Sequence, residues 1–148
     1  MKAVLLTRFG GLDVLRLSDV PTPSPAPGEI LVRVHAVSVN RTWDLDVRRD
    51  GGGYGVTLPM VLGFDPSGVV EALGDGVAGF GIGDRVTVVR TVTQGGGAAE
   101  YIAAPANRTF HVPDAVSFAE ATVVSRHFPM AFGLARRARL QAGEWALV

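Results

Sequence analysis

Nineteen glycines and nine prolines punctuate the 148 residues so densely that a long helix is excluded before about residue 115. An interior glycine costs a helix about 1 kcal/mol and an interior proline about 3 kcal/mol, so this part of the chain must be short segments joined by turns. Residues 2–6 form a short apolar strand turned back at Gly10-Gly11, and VLRLSDV (14–20) alternates with the period of a half-buried strand. PTPSPAPGE (21–29) places four prolines at alternate positions, a polyproline-like connector unable to pair inside a sheet. The longest strand signal is ILVRVHAVSVN (30–40), with Ile30, Val32, Val34, Ala36 and Ser38 on one face. His35 falls on the other face among aliphatics and reads as a structural histidine. TWDLDVRRD (42–50) makes one or two helical turns, ended by GGGYG (51–55). The runs at 58–73, 84–90 and 98–105 are strand-like again, separated by glycine-rich turns.

The pattern changes at Pro113. Ser117-x-x-Glu120 is a capping box that opens a helix over 118–125, and a second helical stretch is expected over 129–140, with Pro129 in its first turn. AGEWALV (142–148) reads as a turn and the beginning of an apolar strand. Many strands followed by helices predict a mainly β fold, an antiparallel β-barrel with C-terminal helices and the opening of something further.

Charge and composition narrow the function classes. Lys+Arg and Asp+Glu are equal at 14 each, and the densest basic patch, Arg136-Arg137-x-Arg139, reads as the solvated face of a helix. Neither nucleic acid nor an acidic membrane is expected as a partner. No apolar run approaches the roughly 18 residues of a membrane span, and MKAVLLTRFGG is too quickly interrupted for a signal peptide. With no cysteine there is no disulfide, thiol nucleophile or thiolate ligand, and the three histidines are far apart, so no metal site is expected. A cytoplasmic location follows by elimination.

Gly74-x-Gly76-x-x-Gly79 matches the glycine fingerprint that cradles a dinucleotide pyrophosphate, and Glu100 lies about 20 residues beyond, where a ribose-binding acid belongs. The match fails on its context. A phosphate cradle needs a helix N-terminus after the glycines, yet Phe80-Gly81-Ile82-Gly83-Asp84 resists helix and DRVTVVR resumes strand alternation. These glycines are expected to turn a loop between two strands.

The longer run from Pro59 to Val86, PMVLGFDPSGVVEALGDGVAGFGIGDRV, resembles the N-terminal signature of the medium-chain dehydrogenase/reductase superfamily. The opening MKAVLLTRFGG, the strand PGEILVRVHAVSVN and the passage AAEYIAAPANRTFHVPDAVSFAEAT extend the likeness over nearly the whole chain. Such enzymes carry a GroES-like barrel ahead of a Rossmann domain. The resemblance therefore implies a GroES-like catalytic domain over 1–125. It implies a junction helix and the first strand of an incomplete nucleotide-binding domain over 126–148. Zinc-dependent members carry Cys where Asn40 stands and Gly-His-Glu where this chain has Gly63-Phe64-Asp65, so the likeness is to the zinc-free, quinone-oxidoreductase-like branch. It implies reduction of a small-molecule acceptor, a quinone, an enone or a related activated double bond, with NADPH. The main cofactor site is expected past Val148, and homodimerisation or self-association is expected. The alternative is a stand-alone GroES-like binding or scaffold module without catalysis.

By position, the resemblance puts Asn40, Arg41 and Thr42 near nicotinamide and substrate, and Ser125 and Met130 beside the cofactor. Asn40 ends a strand, where its amide either donates to a ligand or caps the turn. Arg41 either steers a cofactor phosphate or polar substrate or is a solvated loop residue. Tyr54 is a candidate proton donor, and His127, with Ser125 near it, a candidate proton relay. Asp44 is expected to hydrogen-bond its own turn, Asp65 to support the barrel loop, and Trp43 and Phe64 to pack. The family often has a small residue and a threonine where Phe128 and Met130 stand.

Overall fold

The computed structural model describes residues 1–146. Its strands are β1 (Lys2–Leu6), β2 (Leu15–Asp19), β3 (Glu29–Val37), β4 (Met60–Val61), β5 (Pro66–Leu73), β6 (Arg85–Val88), β7 (Tyr101–Pro105) and β8 (Thr109–His111). Helix α1 (Trp43–Asp50) lies between β3 and β4, and α2 (Phe118–Arg137) follows β8. All pairings are antiparallel, in a three-stranded sheet β2-β1-β4 and a five-stranded sheet β7-β3-β5-β6-β8. The segment before β7 joins them, because Ala3 bridges Ala99 and the Val4 amide donates to the Ala98 carbonyl at 2.8 Å. This is the mainly β architecture expected, closed by edge contacts between two sheets.

Two apolar clusters fill it. Ile30, Val32, Val70, Val86, Val88 and Ile102 pack inside the larger sheet, and Leu6, Val14, Val47, Met60, Leu62 and Phe64 pack beneath α1. Full burial of such side chains contributes about 1.5–3 kcal/mol each. The strict alternation expected of β3 breaks at a bulge: Val34 and Ala36 face Gly68 and Ser67, so His35 is the extra residue. His35 is exposed instead of lying among aliphatics, and its ring packs 4.6 Å from that of Phe118 on α2.

The fingerprint glycines lie in a loop, as their context requires. No helix separates β5 from β6, Gly76 and Gly79 have positive φ (75° and 81°), and a Cβ on Gly74 would overlap the Ala26 carbonyl. Glu100 serves the fold, accepting the Lys2 amide at 2.7 Å.

Helix α2 begins at the expected capping box: the Glu120 amide donates to Ser117 Oγ at 3.2 Å, and the Ser117 amide to Glu120 Oε2 at 2.8 Å. The two expected helices are one, which runs through Pro129 and ends at Arg137. Proline removes a single backbone donor, that to the Ser125 carbonyl, and the turns on either side are continuous. Strand β8 lay outside the expected set; three residues are too few to display a period. The turn expected at the start of AGEWALV is present at 142–143, but 144–146 are irregular where the strand was expected to begin, and the last two residues lie outside the described ones. Among the described residues, no helix is long and apolar enough to cross a membrane.

Candidate functional site

The bend from β3 into α1 forms one wall of a cleft of about 300 Å³, lined by Ser38, Val39, Asn40, Arg41 and Thr42. The other wall is Val123 and His127, one helical turn apart on α2. Asn40 Oδ1 accepts the amides of Thr42 (3.1 Å) and Trp43 (2.9 Å), capping the turn that leads into α1. Its carbonyl accepts the Asp44 amide, and its own amide donates to Asp44 Oδ2 at 2.6 Å. Capping thus uses the Asn40 oxygen and leaves Nδ2 without a partner among the described residues. Arg41 is exposed and joins no ion pair among them, and no carboxylate lines the cleft.

Two acids lie behind the wall. Asp44 is buried and also accepts the Gly63 amide at 3.2 Å. Burial raises its carboxyl pKa above the usual range, the Asn40 and Gly63 amides oppose the rise, and the charge of Asp65 adds to it. Asp65 is fully buried and forms a forked ion pair with Arg126 on α2, which holds its oxygens at 2.7 and 2.9 Å from Nε. Arg126 also donates to the Arg90 carbonyl at 2.5 Å and lies 4.5 Å above the Trp43 ring. Trp43 in turn meets Phe64 edge to face at 5.7 Å.

His127 Nδ1 lies 3.2 Å from the Val123 carbonyl. A carbonyl only accepts, so Nδ1 carries the proton, and Nε2 has no partner among the described residues.

Asn40, Arg41, Thr42 and His127, predicted from the sequence, therefore meet in one cleft. Tyr54 does not join them; it packs against the cluster beneath α1. Ser125 lines a separate apolar cavity of about 340 Å³ with Phe128 and Pro129, its Oγ buried without a partner among the described residues, and Met130 is exposed. Sequence reasoning missed Arg126, because its partners Asp65 and the Arg90 carbonyl are remote along the chain and no local spacing marks them. Among the described residues no three acidic or histidine side chains come together as a metal site. The two positions where the family resemblance would place zinc ligands hold Asn40, which caps a turn, and Phe64, which is buried in packing.

The family description "Alcohol dehydrogenase GroES-like domain" matches residues 26–114. Rat quinone oxidoreductase is 36% identical over 150 residues, covering 100% of this chain and 45% of that protein. The crystal structure of the human synaptic vesicle membrane protein VAT-1 homolog-like protein superposes with a TM-score of 0.88 at 39% identity, over 97% of this chain and 45% of that one. A mycobacterial structure complexed with NADPH superposes with a TM-score of 0.81 at 35% identity, over 97% of this chain and 44% of that one. The chain spans less than half the length of the curated relatives it matches. By sequence and by fold, it belongs to the alcohol dehydrogenase GroES-like domain family, on the quinone-oxidoreductase-like side of the medium-chain dehydrogenase/reductase superfamily.

Proposed function

We propose that this chain is the catalytic-domain portion of a zinc-independent, NADPH-dependent oxidoreductase of the cytoplasm that reduces quinones, enones or related activated double bonds. The observation that carries this reading is the convergence of Asn40, Arg41 and Thr42 with His127 on one cleft, free of carboxylates and sized for a flat ring. The complex of a similar mycobacterial protein with NADPH supports the choice of cofactor. NADPH, when bound, supplies a hydride. The chain's own part is to hold the acceptor and manage charge and proton. The free Nδ2 of Asn40 donates to the acceptor oxygen as negative charge develops on it. His127, protonated, delivers a proton from Nε2, its orientation fixed by the bond from Nδ1 to Val123. Arg41 and Thr42 orient the polar end of cofactor or acceptor. Tyr54, packed away from the cleft, gives up the proton-donor role to His127.

The pyrophosphate belongs to a nucleotide-binding domain, since the glycine loop at 74–79 lacks a helix. In this reading α2, which spans the expected division at residue 125, is the junction, with Ser125 and Met130 on its cofactor side. Its exposed Phe128, Phe132 and Leu134, and Trp145 beyond it, are covered by that domain or by self-association.

Nicotinamide fluorescence and turnover test the reading together. The 148-residue chain is expected to bind NADPH only weakly. The protein extended by its nucleotide-binding domain should oxidise NADPH with a soluble benzoquinone, and His127→Gln should lower kcat by about 100-fold. Micromolar NADPH binding by the short chain would overturn the account of the phosphate site. A folded, extended protein without quinone reduction would favour the binding-module reading.

A further inference from the structure

Asp65 is the most buried charged side chain among the described residues, and two separate segments, the bend after β3 and α2, converge on it. Ser38, in the cleft wall, places its Oγ 3.4 Å from Asp65 Oδ2. Arg126, from α2, grips both carboxylate oxygens, donates to the Arg90 carbonyl and stacks on Trp43, the first residue of α1. A buried pair of this kind adds little net stability over well-packed apolar residues, because desolvation offsets attraction. Its distinctive effect is geometric. A planar guanidinium forked onto one carboxylate and held over an indole, 4.5 Å from its centroid, leaves α2 one rotation about its axis. Successive helical residues point about 100° apart. With Arg126 pinned inward, the adjacent His127 and the preceding turn's Val123 are turned into the cleft.

We propose that Arg126 is a positioning residue, whose pairing with Asp65 and stacking on Trp43 set the distance and orientation between the two walls of the cleft, Asn40–Thr42 and His127. The functional part of this statement rests on the reading of that cleft as the acceptor site. The geometric part does not. Arg126→Met alone leaves Asp65 charged and unpaired in the interior, so the informative variant is Asp65→Asn combined with Arg126→Met, which removes both charges at similar volume and keeps a cooperative melt.

Emission and turnover are read separately. The chain has two tryptophans, so a Trp145→Phe background isolates Trp43. In the 148-residue chain the double variant should shift Trp43 emission to longer wavelength and increase its quenching by acrylamide. In the protein carrying its nucleotide-binding domain, kcat for quinone should fall by about 10- to 100-fold, with the KM for NADPH unchanged. Arg126→Lys, which keeps the charge without the fork or the planar stack, should fall between. Wild-type emission and wild-type kcat in a folded double variant would overturn the proposal. If the unsubstituted protein reduces no quinone, the acceptor-site reading fails, and Trp43 emission alone decides whether Arg126 sets the geometry of the walls.

Discussion

Asn40 and Asp44 hold each other reciprocally: the Asn40 amide donates to Asp44 Oδ2 at 2.6 Å, and the Asp44 amide donates to the Asn40 carbonyl at 3.0 Å. Together with the Asn40 side-chain cap, this fixes the bend from which one cleft wall is built. The same asparagine therefore has two separable duties, one through Oδ1 and one through Nδ2. Asn40→Asp keeps the capping oxygen and should melt close to the wild type. Asn40→Ala loses the cap and should lose about 1 kcal/mol. Both lose the donor, so both should lower kcat for quinone reduction. Equal kcat for Asn40→Asp and the wild type would confine Asn40 to the turn.

Asp44 gives a pH prediction with a definite sign. Its folded-state pKa is raised above the ordinary value of 3.8, mainly by burial. The native state thus favours the protonated acid more than the unfolded chain does. The stability this group contributes is full below the unfolded pKa and is lost as pH rises through the higher folded value. Urea melts of the wild type and Asp44→Asn, compared from about pH 3.5 upward, should show the wild type losing stability relative to the variant and then levelling off. A difference of opposite slope would mean that the amides of Asn40 and Gly63 outweigh desolvation.

The glycine loop at 74–79 can be tested against its resemblance to a cofactor site. Gly76 has φ of 75° and open space around it, so Gly76→Ala should cost only the left-handed strain, about 1–2 kcal/mol. In a true fingerprint the same change would block the approach of pyrophosphate. Here the KM for NADPH should stay unchanged. Gly74→Ala is expected to be far more damaging, because its Cβ meets the backbone of the Ala26–Glu29 turn, whose Glu29 carbonyl accepts the Gly74 amide at 2.8 Å. A rise in the KM for NADPH in folded Gly76→Ala would return the loop to the cofactor.

What was legible in the sequence was mostly local. The alternation of β2 and of the first half of β3, the apolar runs of β1 and β5, the turn glycines and the Ser117–Glu120 box each act over a few residues, and each lies where the sequence reading put it. That Asp44 hydrogen-bonds its own turn was readable for the same reason. The bulge at His35 was not, because it depends on which residues of β5 lie opposite. Nor was the Arg126–Asp65 pair, which joins residues 61 positions apart. Tyr54 looked free in a glycine-rich loop, but the loop folds back on the cluster beneath α1, and the apolar body of tyrosine packs there.

Pro129 offers the last test, since the sequence expected a break there and the structure has none. Its ring cannot donate to the Ser125 carbonyl and crowds it, yet eight further residues remain helical. A proline inside a helix costs about 3 kcal/mol relative to alanine, while alanine gives back about 0.4–1 kcal/mol through a freer unfolded chain. Pro129 is exposed, so no core contact opposes the exchange. Pro129→Ala should therefore stabilise the protein by about 2 kcal/mol, measured by urea unfolding, and increase amide protection around Ser125 in hydrogen exchange. A loss of stability would mean that the proline's geometry is needed to direct the second half of α2 away from the barrel.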